Sequence, residues 1–245
     1  MKLCEGVYLV GSGDLGIGLT HPLDCNVYIL TDGNDAVMID AGVGLAPELI
    51  LAEIEKDGIN TGRISHLLLT HGHADHAGGA AWFREKLNLS IVAPKGEADM
   101  ISTADEIPLG LDVGRAAGYY PADYKLSPCP VDKTVSPGET LTVAGFSIRV
   151  FDASGHSPSG VCYYLSKDGG LLFCGDLLSY GGYISLQSIP GADVLRYNQS
   201  VRGLAELTVK SFFPGHLLFS LSNGYRHLKK AADAFSKLGI PPNVI

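Results

Sequence analysis

The seven-residue run Thr70-His71-Gly72-His73-Ala74-Asp75-His76 constrains this chain more than any other feature of its sequence. It places three imidazoles and one carboxylate directly after residues 65–70, which the sequence pattern predicts as a short buried strand. Because alternate residues of an extended chain share a face, His71 and His73 can point the same way, while the last two donors turn toward a second point. Imidazole and carboxylate are the usual ligands of zinc and related transition metals. Four donors at this spacing suit two neighbouring metal ions better than a single tetrahedrally coordinated ion.

The alternative interpretation of this run is a solvated, histidine-rich loop. The run holds three of the eight histidines in the chain. Clustered imidazoles repel one another when they are protonated, so a bound metal is the natural way to keep them together. We therefore interpret the run as a metal-binding segment.

Composition narrows the classes of function that the chain can serve. The 245 residues include 46% hydrophobic and 18% charged residues, which is enough apolar material for a full core, and we expect one domain over residues 1–245. The formal net charge is −8, which argues against a nucleic-acid partner because such binding needs a basic face. The five cysteines form no Cys-x-x-Cys pair, so we expect free thiols.

The amino-terminal residues and the apolar segments predict a location. The start lacks the apolar run and cleavage site of a signal peptide, and no apolar stretch approaches the length of a membrane span. We therefore expect a cytoplasmic protein without a membrane partner.

Short β-rich runs bounded by turn residues recur in both halves of the chain. The predicted strands are 7–10, 26–31, 36–40, 65–70, 91–93, 140–143, 146–152, 161–166, 171–174 and 211–213. The predicted helices are 47–56, 79–87, 95–104, 193–207 and 225–238. Strands followed by helices in each half indicate two packed sheets with helices outside, rather than a doubly wound parallel sheet.

Two segments do not fit this pattern. Residues 107–130 are rich in proline and carry Tyr119, Tyr120 and Tyr124, which predicts an irregular insertion or a poorly patterned helix. Its tyrosines could either roof a substrate pocket or form the contact of a homodimer. Residues 11–24 match Gly-x-Gly-x-x-Gly but lack the helix that a dinucleotide site needs, so we interpret them as a loop near the mouth of the site.

Together with later motifs, the histidine run resembles the signature of the metallo-β-lactamase superfamily, His-x-His-x-Asp-His after an apolar strand. Three further motifs of that family follow in family order: Ser154-Gly155-His156-Ser157-Pro158, Cys174-Gly175-Asp176 and Phe213-Pro214-Gly215-His216. The segment Val37-Met38-Ile39-Asp40 resembles its early strand, which ends in an aspartate that supports the metal loop. The resemblance extends from about residue 6 to about residue 216.

This resemblance implies an α/β fold, a four-layer αββα sandwich, and a dinuclear metal site. The implied ligands are His71, His73 and His156 for one ion, Asp75, His76 and His216 for the other, and Asp176 as the bridge. The implied cofactors are two divalent ions, Zn²⁺ first, with Fe or Mn as alternatives. Asp75 is the implied catalytic residue, as a metal ligand and proton acceptor. Taken singly, the later histidines and aspartate could instead be ordinary turn residues.

The resemblance also implies the chemistry, which is cleavage of an ester, thioester or lactone bond in a small molecule by a metal-bridging hydroxide. True β-lactamases generally lack an acidic residue at the bridging position of Asp176, so the chain is more similar to the glyoxalase II, lactonase and phosphodiesterase branches. The glutathione-associated Gly-Gly-Cys-Gly-Arg-like segment of glyoxalase II is replaced by residues 181–185, which disfavours a glutathione thioester.

The substrate contacts and the class of reaction stay open between several possibilities. Lactonases of this family place a tyrosine shortly after the bridging aspartate, which makes Tyr180 and Tyr183 candidate substrate contacts beside Tyr119 and Tyr120. The alternatives to the hydrolase are a mononuclear-iron persulfide dioxygenase, a phosphodiesterase, and a metal-binding protein without catalysis.

Overall fold

The computed structural model describes residues 1–244, whose strands form two sheets. Residue 245, the last of the expected domain 1–245, lies outside the described residues. The first sheet contains, in spatial order, β1 (Lys2–Cys4), β2 (Val7–Gly11), β3 (Val27–Thr31), β4 (Ala36–Ile39), β5 (Ile64–Leu68), β6 (Ser90–Pro94) and β7 (Lys133–Val135). The second contains β12 (Ser211–Pro214), β11 (Leu171–Gly175), β10 (Val161–Leu165), β9 (Phe146–Asp152) and β8 (Thr140–Val143), again in spatial order.

Within residues 1–244, seven α-helices connect or cover these strands. They are α1 (Pro47–Lys56), α2 (Ala74–Ala77), α3 (Ala80–Leu87), α4 (Ala98–Thr103), α5 (Leu111–Ala116), α6 (Val194–Leu204) and α7 (Tyr225–Ser236). Two one-turn 3₁₀ helices lie at Thr61–Arg63 and Lys167–Gly169. Pro47 begins α1, where its missing N–H costs no hydrogen bond, and the helix ends directly before Asp57 and Gly58.

Alternating side chains of the central strands divide the core into three layers. In β3, Tyr28 and Leu30 pack between the sheets, while Val27 and Ile29 face α1 and α3. The outer face of the second sheet packs against α6 and α7. Because both faces of these strands are buried, their sequences are almost continuously apolar. The predicted four-layer αββα sandwich is confirmed.

Strand direction brings the carboxyl ends of several strands to one end of the sandwich. In the first sheet β4, β5 and β6 are parallel, and in the second β11 and β12 are parallel. β9 ends beside the start of β10 and the end of β11, because Val161 pairs with Asp152 and the β10–β11 pair is antiparallel. The loops that follow these strands carry the histidine run and the three later motifs.

Two buried tyrosines hold the sheets together at this end. The hydroxyl of Tyr28 in the first sheet donates to the carbonyl of Pro214 in the second, at 2.7 Å. The hydroxyl of Tyr163 in the second sheet donates to the carbonyl of Leu69 in the first, at 2.8 Å. Each bond ends two residues before a predicted metal ligand, so it fixes the position of that ligand's loop in the opposite sheet.

The structure differs from the predicted elements mainly at short segments. The sequence pattern did not predict β1, β7 or the four-residue α2, which lies inside the histidine run. The predicted helix 95–104 is shorter, at Ala98–Thr103, and 107–130 is irregular except for α5. Within residues 1–244, no helix combines the length and the apolar character that crossing a membrane requires.

Replacing Tyr163 by Phe should lower the free energy of unfolding by about 1–2 kcal/mol, because the buried Leu69 carbonyl loses its tyrosine donor. Tyr28→Phe should cost less, since the Pro214 carbonyl still accepts from Asn26 Nδ2 at 3.1 Å. Urea unfolding measures both, with Tyr180→Phe at an exposed tyrosine as the control. Equal losses for Tyr163→Phe and the control would contradict this role of the inter-sheet bond.

Candidate metal centre

Three histidines from both sheets converge on one point. His71 Nε2 lies 3.1 Å from His73 Nδ1, which lies 2.9 Å from His156 Nε2, and all three side chains are buried. Ligands at 2.0–2.1 Å from a tetrahedral zinc ion are separated by about 3.4 Å, close to these spacings. The geometry therefore suits one metal ion held by the three nitrogens.

A second group of four buried side chains lies beside the first. Its members are Asp75, His76, Asp176 and His216. His216 Nε2 lies 3.0 Å from Asp75 Oδ2, and His76 Nε2 lies 3.1 Å from Asp176 Oδ1. These last two atoms are within ion-pair distance but are not hydrogen-bonded to each other, and neither has another hydrogen-bond partner among the described residues. Because buried polar atoms without a hydrogen bond are rare and costly, this pair fits a site for a cation.

Asp176 is the carboxylate that touches both groups. Its Oδ2 lies 3.4 Å from His156 Nε2 and 3.3 Å from His216 Nε2. Close packing here requires a glycine before the last ligand, since a Cβ on Gly215 would collide with Asp176 Oδ1 and with the ring of His76. The seven ligands that the resemblance implies are thus brought together by the fold.

Asp40 orients the middle of the histidine run, as the resemblance implies. Its Oδ2 lies 2.9 Å from His76 Nδ1, which leaves Nε2 of that ring directed at Asp176. Its Oδ1 accepts from the backbone N–H of Thr70 at 2.7 Å. Asp40 itself has φ of +58°, a left-handed conformation that most residues avoid. The local strain is offset by these buried hydrogen bonds.

The two groups differ in the proton affinity of their side chains. Burial, and then the neighbouring His156, lower the pKa of His73 to about 3, so the ring of His73 is neutral and can donate a lone pair. Burial also opposes the charge of His216, but Asp176 and Asp75 raise its pKa to about 9. Burial would raise the pKa of Asp176, yet His216 and His76 hold it well below its usual value.

Glu97 is a supporting residue that the sequence pattern did not reveal. Its fully buried carboxylate follows β6 and accepts from the N–H of Gly72 at 2.6 Å, from Ser157 Oγ at 2.7 Å and from the N–H of Ser159 at 2.9 Å. Gly72 lies between two predicted ligands, and Ser157 follows His156. One carboxylate therefore joins the two loops that build the three-histidine group.

A cavity of about 400 Å³ opens onto both groups of donors. His73, Asp75, His156, Asp176 and His216 contribute to its floor. Tyr119 and Tyr120 also line it, and the Tyr120 hydroxyl donates to Asp75 Oδ1 at 2.9 Å. Their contact with substrate stays a prediction. A wider surface groove of about 760 Å³ lies between α6 and α7, where no predicted ligand reaches it.

Tyr180 and Tyr183 do not line this cavity. The ring of Tyr180 packs 4.6 Å from that of His227, and Lys230 Nζ lies 5.7 Å from the centre of the Tyr183 ring. Both partners, His227 and Lys230, belong to α7. The tight turn at Gly181 and Gly182, which both have positive φ, directs the tyrosines toward that helix and away from the donors. The geometry therefore gives no support to their predicted contact with substrate.

Comparison with known proteins gives one family and one fold. Residues 21–216 match the family model described as the metallo-beta-lactamase superfamily. An atrochrysone carboxyl ACP thioesterase of Aspergillus fumigatus is 28% identical over 192 residues, which cover 78% of this chain and 50% of that protein. A hydroxyacylglutathione hydrolase of Rhizobium meliloti is 30% identical over 129 residues, 53% of this chain and 38% of that protein.

The solved structures agree on the fold. A metallo-beta-lactamase family protein from Thermus thermophilus superposes with a TM-score of 0.71 at 22% identity, covering 97% of this chain and 81% of that one. The chain spans about half the length of the curated relatives that it matches first. The similarity therefore concerns the shared domain.

Glu97→Gln should lower the free energy of unfolding by about 1–3 kcal/mol. An amide accepts through one oxygen only, so its NH₂ must face the N–H of Gly72 or of Ser159. Urea unfolding and hydrogen exchange at the Gly72 and Ser159 amides measure the effect, and Glu139→Gln at an exposed glutamate is the matched control. Unchanged protection of both amides, with an unfolding free energy equal to that of the control, would show that Glu97 does not hold these loops.

Proposed function

Because the chain belongs to the metallo-beta-lactamase superfamily, we propose that it is a dinuclear-metal hydrolase that cleaves an ester, thioester or lactone bond in a small molecule. The observation that carries the proposal is the position of Asp176, whose carboxylate approaches the donor atoms of both groups. A relative named as a thioesterase and another named as a hydroxyacylglutathione hydrolase support hydrolysis of an acyl substrate.

The donor set fits two divalent ions. His71, His73 and His156 would hold one, Asp75, His76 and His216 the other, and Asp176 would contact both. Zn²⁺ suits these nitrogen and oxygen donors first, and Fe or Mn are alternatives. When bound, such ions supply Lewis acidity, which lowers the pKa of water toward neutrality and polarises a carbonyl group.

We propose that Asp75 accepts the proton of the nucleophile and that Tyr120 holds the Asp75 carboxylate in position. Asp75 lines the cavity, which makes its carboxylate the proposed proton acceptor. The Tyr120 hydroxyl donates to Oδ1, which leaves Oδ2 on the side of His216. Burial and the charge of Asp75 raise the pKa of Tyr120 well above its usual value, so Tyr120 stays a donor. Its role is to fix the rotation of the catalytic carboxylate.

Metal content and hydrolysis measured on the same sample test the proposal. We expect two equivalents of zinc or manganese per chain and turnover of an ester, thioester or lactone. His71→Ala and Asp176→Ala should each lower kcat/KM by about 100-fold or more, while His66→Ala, on β5 but outside both groups, should not. One iron per chain with oxygen uptake would indicate the dioxygenase instead. Turnover of phosphodiesters alone would indicate the phosphodiesterase.

Tyr120→Phe should lower kcat by about 10-fold, because Asp75 loses a charge-assisted hydrogen bond that orients it. Tyr119→Phe is the matched control, since Tyr119 lines the same cavity and its hydroxyl has no hydrogen bond to Asp75 in residues 1–244. Steady-state kinetics on the best substrate measure both variants. Equal effects on kcat would mean that the Tyr120 hydroxyl does not position the carboxylate.

A further inference from the structure

We infer that the cavity beside the metal centre binds an uncharged, apolar acyl group, so that the substrates are esters or thioesters of hydrophobic acids. This inference rests on the proposed function and adds the class of substrate to it. The cavity is continuous with the donor groups, because Asp75, Asp176 and His216 line it. If the scissile carbonyl of a substrate lies at the floor of the cavity, the group attached to one side of that carbonyl extends into the cavity.

One wall of the cavity comes from the insertion 107–130. Leu109, Val113 and Ala117 line it at intervals of four residues, along α5 and the turns at its two ends. Val113 in α5 and Ala117 directly after it are four residues apart and share one face of the helix. Leu109 adds an apolar side chain from the turn before the left-handed Gly110. The irregular segment that interrupts the strand pattern thus supplies the roof of the site.

The opposite wall comes from two other loops. Leu15 belongs to the glycine-rich loop 11–24, and Leu186 and Ile189 belong to the segment before α6. Gly110 has φ of +71°, and an added Cβ there would lie 3.3 Å from Cβ of Ile189. The two walls therefore approach each other closely at Gly110 and Ile189.

The absence of positive charge on these walls selects against acidic groups. Among the described residues that line the cavity, none is lysine or arginine. The guanidinium of Arg115, on the same helix, is already paired with Glu106 at 2.8 Å and donates to the carbonyl of Tyr124 at 2.8 Å. A carboxylate on the acyl chain would lose its water without meeting a cationic side chain, since the polar residues Gln187 and Ser188 that also line the cavity are neutral, and this loss is costly. Esters and thioesters whose acyl half carries a second carboxylate are therefore disfavoured.

The size of the cavity indicates which half of the substrate enters it. Its volume of about 400 Å³ is near the lower end of the range for ligand pockets. When a thioester joins a small acid to a large carrier, only the acyl half fits such a space. We therefore assign the cavity to the acyl group and the solvent-facing side to the leaving group.

A series of p-nitrophenyl esters tests this assignment on the metal-loaded protein. From acetate to hexanoate, kcat/KM should rise by about fourfold for each methylene until the cavity is filled. An ester with a terminal carboxylate on a chain of the same length should react at least about 100-fold more slowly. With the acyl group fixed, extending an alkyl thiol leaving group should change the rate much less.

Two neighbouring alanines provide a matched pair of variants. Ala116 and Ala117 are both exposed, and only Ala117 lines the cavity. Ala117→Phe should reduce hexanoate turnover at least about 10-fold more than acetate turnover, and Ala116→Phe should leave the ratio unchanged. Calorimetric titration of the metal-free protein with octanamide gives a readout that needs no activity. Binding should weaken in Ala117→Phe and persist in Ala116→Phe.

The outcomes separate this inference from the proposed function. Hydrolysis with a flat or falling dependence on acyl length, or a preference for the acidic acyl group, would overturn the assignment while the hydrolase stands. A rate that follows the length of the leaving group would do the same. No hydrolysis of any ester, thioester or lactone would overturn both, whereas hydrolysis of lactones alone would overturn the assignment and leave the hydrolase standing. Equal octanamide binding by the two alanine variants would place the apolar site elsewhere.

Discussion

Burial of acidic and imidazole side chains at one end of the sandwich is the constraint on which the rest of the structure depends. The two groups of donors bring seven such residues out of water, and the protein itself leaves His76 Nε2 and Asp176 Oδ1 unpaired among the residues that the structure describes. Polar groups in this position are costly unless they coordinate a metal. The fold therefore makes sense as a frame that holds donors for cations, with Asp176 between the two groups.

The positions of the donors are determined mainly by the backbone of the two sheets and by the residues that hold the loops, rather than by contacts among the donors themselves. Parallel strands in each sheet end at the same edge, and the hydroxyls of Tyr28 and Tyr163 join the two edges. Asp40 and Glu97 then fix the loops by accepting backbone N–H groups next to the ligands. Such outer contacts orient metal ligands and are a large part of how a site is preorganised. The substrate cavity is built by separate loops, which can vary without disturbing this frame.

Much of this site is predictable from sequence because its ligands follow strands in short motifs. The apolar strands and the helix at 47–56 are equally clear, since burial on both faces and the initial proline leave local signals. Glu97 has no such signal, because its partners are 25 and 60 residues away along the chain. Tyr180 and Tyr183 follow Asp176 closely in sequence, yet their turn carries them to α7. A residue that is close to a site residue in sequence is therefore close to it in space only when no turn of the backbone separates the two.

The most direct test of the account is the location of metal in a crystal of the zinc-loaded protein, measured by anomalous diffraction at the zinc absorption edge. The account predicts two peaks, one among the nitrogens of His71, His73 and His156 and one among Asp75, His76 and His216, with the Asp176 carboxylate in contact with both. A single peak, or two peaks of which one lies outside these groups, would contradict it.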